Sequence, residues 1–187
     1  MDLADRLLSL TVTATSPDGR INATFGDRGG RIELAFRPGD YRHYSGTSLE
    51  QELSRLAMRV MAGYVRAQTK LIDAAVPDVL HDDAIEYGLE DREFRRHLAA
   101  IRTAATSPDG RITVVSQALV RWDVRIADGT VGRVSEDAFT AGLLAAFHEV
   151  LTRHQAEVRR LKDEHYGSGI DDTTRRRPGP PGRHTLR

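Results

Sequence analysis

The stretch "ATSPDGRI" occurs twice, at Ala14–Ile21 and again at Ala105–Ile112, eight identical residues 91 positions apart. Its centre, Ser-Pro-Asp-Gly, is turn chemistry. Proline presets φ for the first central position, aspartate suits the second, and glycine accepts a positive φ. A type I turn closed by a left-handed glycine joins two antiparallel strands. The flanks agree. Val12 and Ala14 alternate with Thr11, Thr13 and Thr15, and past the turn Ile21, Ala23 and Phe25 alternate with Asn22 and Thr24. A period of two marks strands with one apolar and one polar face. A second turn, "GDRGG" at Gly26–Gly30, leads to "RIELAF", where Ile32, Leu34 and Phe36 continue the apolar face. The expectation is a three-stranded antiparallel meander.

The apolar face of such a meander needs a cover. "GTSLEQE" supplies a helix start, with Thr47 and Ser48 followed three residues on by Glu50 and Gln51, a capping box in either register. Leu49, Leu53, Leu56, Ala57, Val60, Met61 and Tyr64 then recur at helical spacing up to about Ala75, before Pro77. Phe25, Ile32, Leu34 and Phe36 are expected to be buried against Leu53, Leu56 and Val60.

The second copy repeats the plan. "IRTAATSPDGRITVVS" gives the hairpin, "RWDVRI" the third strand with Trp122, Val124 and Ile126 inward, and a helix runs from about Ser135 to about His165. Its stripe is Phe139, Leu143, Leu144, Phe147, Val150 and Leu151. The turn before its third strand, "SQALVRW", contains no glycine. Helices precede both meanders, a short one at Asp2–Leu10 and a longer one at about Leu89–Ile101. The chain therefore reads as an α+β protein of two α-β-β-β-α units, residues 1–75 and 89–166, with a linker at 76–88 and a tail at 167–187. One such unit alone buries little and leaves sheet edges open. Two in one chain can join edges or swap helices, and their linkage raises the effective concentration of each for the other. An internal pseudo-dimer is expected.

The 187 residues carry 27 basic and 27 acidic side chains, so no global charge draws the chain to nucleic acid or membrane. The charge is uneven. Residues 167–187 hold five arginines (Arg175, Arg176, Arg177, Arg183, Arg187) against Asp171 and Asp172, a net +3, which leaves the other 166 residues at 22 basic and 25 acidic groups, a net −3. Cysteine is absent, which removes disulfides and thiolate metal sites and fits a reducing compartment. No apolar run approaches the ~18 residues of a membrane span. The start "MDLADRLLSL" is acidic and lacks a cleavage site, unlike a secretory signal. A cytoplasmic location is expected.

The stretch "VTATSPDGRINATFGDRGGRIELAFRPGDYR" at Val12–Arg42, with the long helix after Thr47, resembles the YbaB/EbfC family of small bacterial nucleoid-associated proteins. Its actinobacterial branch reads as a V-x-A-x-S-x-D-G hairpin, a glycine-containing second turn, an apolar third strand and a long C-terminal helix. The first copy matches over about Val12–Lys70; the second matches more loosely, to about Arg160. Members of that family are typically homodimers whose paired sheets and projecting helices bind DNA. The resemblance implies a tandem, covalently linked pseudo-dimer that binds DNA largely without sequence preference in the nucleoid, and further homo-oligomers are open. The motif names no reactive residue.

The residues themselves point to no enzyme, cofactor or metal. The seven histidines (43, 81, 97, 148, 154, 165, 184) form no H-x-x-x-H pair and read as solvated or capping groups. "HDDAIE" at His81–Glu86 lacks ligand spacing for a hard cation and reads as linker. "YGLED" at Tyr87–Asp91 fits a Y-x-x-x-D pattern like that of type VII secretion substrates, a short and common pattern. The arginines are the DNA-relevant feature. Arg92, Arg95, Arg96 and Arg102 lie on and after the helix before copy two, and Arg153, Arg159 and Arg160 sit late in the last helix. Arg175, Arg176 and Arg177 lie in the Pro/Gly/Arg-rich tail, which is expected to be disordered and to add phosphate contacts. Arg111, Arg121 and Arg125 occupy outward strand positions. The alternative to DNA binding is a protein-interaction module that keeps the fold, associated with a secretion or regulatory system. Arginines gathered on one face favour the first reading; scattered charges or an apolar groove favour the second.

Overall fold

The computed structural model describes residues 3–26, 31–75 and 89–166. After a short helix α1 (Leu3–Leu8) come β1 (Thr11–Thr15), β2 (Ile21–Gly26) and β3 (Arg31–Phe36), then the long helix α2 (Gly46–Ala75). The second unit follows the same order: α3 (Leu89–Ala100), β4 (Arg102–Thr106), β5 (Ile112–Gln117), β6 (Arg121–Ile126), a one-turn helix α4 (Thr130–Arg133) and the long helix α5 (Glu136–Tyr166). The strands form two separate antiparallel sheets, β1-β2-β3 and β4-β5-β6. The fold is α+β, two meanders each followed by a long helix. The linker 76–88 and the tail 167–187 lie outside the described residues.

The repeated octapeptide builds the same turn twice. Gly19 and Gly110 adopt φ of 75° and 74°. Ser16 Oγ accepts from the Ile21 amide at 2.9 Å, and Ser107 Oγ accepts from the Ile112 amide at 2.9 Å. Each serine hydroxyl also donates to the turn aspartate, Asp18 or Asp109, which in turn accepts from the amide of Arg20 or Arg111. The shared serine and aspartate thus satisfy the backbone of a tight turn. Their identity in both copies is explained by folding.

Alternation behaves as the pattern requires. Ile21, Ala23 and Phe25 are buried on β2, and Trp122, Val124 and Ile126 on β6. Ile32 and Leu34 differ from expectation: they are half-buried, packed at the border of the core. β3 is an outer strand, and its Ile32 and Leu34 also line an apolar cavity of about 40 Å³. Leu53, Leu56, Trp122 and Phe147 line the same cavity. The buried residues of both units form one continuous cluster, in which Phe36 and Tyr41 stack edge-on or tilted against Phe139 at 6.2 and 5.2 Å.

One local expectation needs correction. The N-cap of α2 is Ser45. Ser45 Oγ accepts from the Ser48 amide at 3.1 Å, and Ser48 Oγ accepts from the Ser45 amide at 3.0 Å, a reciprocal box that needs no glutamate. Glu50, read from sequence as a cap residue, instead accepts from the Ile126 amide at 2.7 Å, and Ser54 Oγ accepts from the Val124 amide at 3.0 Å. Two residues of the first unit's helix thereby occupy donors on the outer edge of β6. The sheets do not join edge to edge; a helix lies along the edge.

The turn between β5 and β6 differs from its counterpart in the first unit. The octapeptides are 91 residues apart, but Leu49, Leu53, Val60 and Met61 recur as Phe139, Leu143, Val150 and Leu151, each 90 residues on. One residue is lost in between, and β3 begins at Arg31 where β6 begins at Arg121. The shortened turn holds Ala118 and Leu119 at φ of 53° and 56°, left-handed without glycine. Both central residues positive is the hairpin-compatible primed geometry. Trp122 Nε1 donates to the Leu119 carbonyl at 2.9 Å and pins it.

Candidate nucleic-acid interface

The arginines named from sequence are separated along the chain, and tertiary contacts bring several of them to one end. α3 docks on the C-terminal part of α5. Phe94 meets His165 and Tyr166 with ring centroids 5.5 and 5.3 Å apart, and His97 Nδ1 lies 3.0 Å from His165 Nε2. A hollow there of about 450 Å³ is lined by Arg102 and Arg160, by the acids Glu157 and Glu164, and by His97 and His165. Arg92, Arg95 and Arg96 of α3, Arg102 at the start of β4, and Arg159 and Arg160 of α5 therefore stand at the same end of the molecule, all exposed.

Their electrostatic states differ. Arg96 pairs with Glu93 at 3.4 Å, and Arg160 reaches both Glu157 at 2.8 Å and Glu164 at 3.1 Å. Arg153 holds Glu149 at 2.7 Å and also donates to the Ala104 carbonyl, which ties α5 to β4. Arg92, Arg102 and Arg159 make no ion pair with a described residue. On the outer strand faces, Arg111 pairs with Asp109 and Arg125 with Asp123, while Arg121 is exposed. Such exposed pairs contribute little stability. Arg175, Arg176 and Arg177 lie outside the described residues, as do Tyr87 and Gly88 of the Y-x-x-x-D stretch and "HDDAIE".

His43, His97 and His148 are exposed, as the solvated reading expects, while His154 and His165 are half-buried and depart from it; His81 and His184 lie outside the described residues. His97 and His165 face each other, and His154 is half-buried with its Nδ1 lacking a hydrogen-bond partner among the described residues. Burial pushes the His154 imidazole below its ordinary range, so it is neutral near pH 7. Among the described residues no group of three or more His, Cys, Asp or Glu is placed to hold a metal. No described helix is long and apolar enough to cross a membrane.

A second polar feature was not anticipated. The loops after β3 and β6 meet where α2 and α5 begin, and enclose a cleft of about 1110 Å³. Gly39 and Gly129, both at positive φ, open the two loops at equivalent positions. Arg42, His43 and Arg133 line the cleft, with Tyr41, Gly46 and Glu136. These residues are scattered singly in the sequence, and nothing in their local spacing marks them; only the meeting of the two loops does.

No family model, no curated protein and no solved structure matches the chain.

Proposed function

We propose that the chain is a nucleoid-associated, largely sequence-non-specific DNA-binding protein, built as a covalently linked pseudo-dimer of two YbaB/EbfC-like units and acting in the cytoplasm. The observation that carries this reading is the docking of α3 on α5, which gathers Arg92, Arg95, Arg96, Arg102, Arg159 and Arg160 at one end. Guanidinium groups in that arrangement contact phosphates and do not read bases. The continuous core and the helix laid along the edge of the other unit's sheet support the pseudo-dimer.

The test is fluorescence anisotropy of a labelled duplex at several salt concentrations, using the full chain. Affinity should fall steeply with salt. Arg95→Glu with Arg96→Glu should weaken binding by a similar factor on every duplex sequence. Deleting 167–187 should make the log–log salt slope shallower by roughly 0.9 per lost phosphate contact. Absence of binding at low salt and tens of micromolar protein, roughly the weak end of non-specific affinity, discards the reading. The second reading, a protein-interaction module, then stands. The ion pairs that occupy Arg96, Arg153 and Arg160 favour it.

A further inference from the structure

The two units differ where each long helix passes over the inner face of its own sheet. In the first unit this contact is apolar: Phe25 meets Tyr64 edge-on with ring centroids 4.7 Å apart, and Val12 lies against Gly63. In the second unit the equivalents of Val12, Phe25 and Tyr64 are Thr103, Ser116 and His154, 91 residues on for the strands and 90 for the helix. Thr103 and Ser116 oppose each other directly on β4 and β5, at 6 % and 1 % exposure. α5 crosses this floor, since the guanidinium of Arg153, next to His154, donates to the carbonyl of Ala104, next to Thr103. Thr103 Oγ1, Ser116 Oγ and His154 Nδ1 are all buried, and none has a hydrogen-bond partner among the described residues.

Polar groups of this kind are costly while buried and regain water when the contact opens. The stretch is also thinly anchored. α5 buries Phe139, Leu143, Ala146, Val150 and Leu151 before His154, but only Leu161 after it. His154 makes the contact sensitive to protons. Burial holds its imidazole below the ordinary range, because a proton on Nδ1 places charge where nothing accepts from it. No neighbouring charge offsets this. The inward residues of β4 and β5 are Thr103, Ala105, Ile112, Val114 and Ser116, none of them ionisable. On α5, Arg153 pairs with Glu149 and Glu157 with Arg160. Arg102 at the start of β4 is exposed, and His97 of α3 faces His165 further along α5.

We propose that His154 over the paired hydroxyls of Thr103 and Ser116 is an acid-sensitive latch, whose protonation releases the last turns of α5, with α3 docked on them, from the second sheet. A proton shifts such an equilibrium only through its different affinity for the two states. The released imidazole binds it more tightly than the docked one. Stability from the neutral, docked ring is therefore present above the ordinary imidazole value of 6.5 and is lost as the pH falls below it. Asp18 and Asp109, held below the ordinary carboxyl value of 3.8, act in a separate and more acidic window. α2 carries Tyr64 in place of His154 and stays docked. The inference does not depend on DNA binding, although release would disperse the arginines that the docking of α3 brings together.

The experiment is amide hydrogen exchange on the full chain at about pH 7.5 and about pH 5.5, either side of the ordinary imidazole value. Protection is expressed relative to an unstructured chain at the same pH. On acidification the amides of α5 beyond His154 should lose protection, up to the roughly tenfold that one pH unit below the ordinary value allows. Those of α5 up to Val150, and of α2 beyond Tyr64, should keep theirs. His154→Gln and, separately, His154→Tyr, which copies the first unit, should abolish the acid response. His97→Gln should leave it in place, which separates the latch from the pair of His97 and His165. In the parent, the His154 ring followed by NMR should titrate below 6.5. A ring that titrates at or above that value overturns the proposal, whether or not the variants fold. So does unchanged protection in the parent, an equal loss in α2, or an equal acid response in the parent and a folded His154 variant.

Discussion

Single residues show how a repeat diverges without losing its fold. The turn serine and aspartate are kept in both copies because they wire the hairpin backbone. Hydrogen bonds from the Ser107 hydroxyl and the Arg111 amide hold the Asp109 carboxyl below its ordinary range. At Asp18 burial raises the pKa, but donors from Ser16, Tyr44 and Arg20 outweigh it and the net shift is downward. Where one residue was lost, the cost moved to Ala118 and Leu119, which sit at left-handed φ. An L-residue there costs roughly 1–2 kcal/mol, partly offset in a glycine variant by the greater freedom of its unfolded chain. Ala118→Gly should therefore stabilise the protein by about 0.5–1 kcal/mol, read as a higher urea midpoint at unchanged slope. A lower midpoint would show that the turn carries no such strain.

Elements are joined by a division of labour between the units. β6 is an outer strand, and an open strand edge invites association with another chain. Glu50 and Ser54 of α2 satisfy two of its amides, from 76 and 70 residues away in the chain. The equivalent positions of α5, 90 residues on, are Thr140 and Leu144, so the arrangement is made in one direction by polar side chains and not repeated by the same chemistry. Glu50→Ala with Ser54→Ala should cost about 1–3 kcal/mol for each amide left unpaired. It should also make the protein more prone to self-association, measured by chemical denaturation and sedimentation. Unchanged stability would mean that water serves these amides equally well.

At the scale of the molecule, the core decides whether the two units are independent. Leu56 of α2 is 1 % exposed and lines the same cavity as Trp122, the chain's one tryptophan, from the other unit. Leu56→Ala should destabilise by about 2–5 kcal/mol. The loss should appear equally in far-UV circular dichroism and in Trp122 fluorescence, as one cooperative transition. Two transitions, with Trp122 insensitive to Leu56, would show that each unit folds alone.

Local periodicity carried the elements. Strand alternation and helical stripes depend on neighbours a few residues apart, so the meanders, the ends of α2 at Ala75 and of α3 near Ala100, and the inward faces of β2 and β6 were all legible from the residue order. Local chemistry also placed the octapeptide turn. It could not say where Glu50 would go, since a glutamate three residues after a threonine looks like a cap until the edge of another sheet competes for it. Nor could it show the half-burial of Ile32 and Leu34, the neutralised Arg153 and Arg160, or the cleft of Arg42 and Arg133. Each of these depends on which distant surface a side chain meets. That is set by how two amphipathic units bury their apolar faces together, and only the tertiary structure decides it.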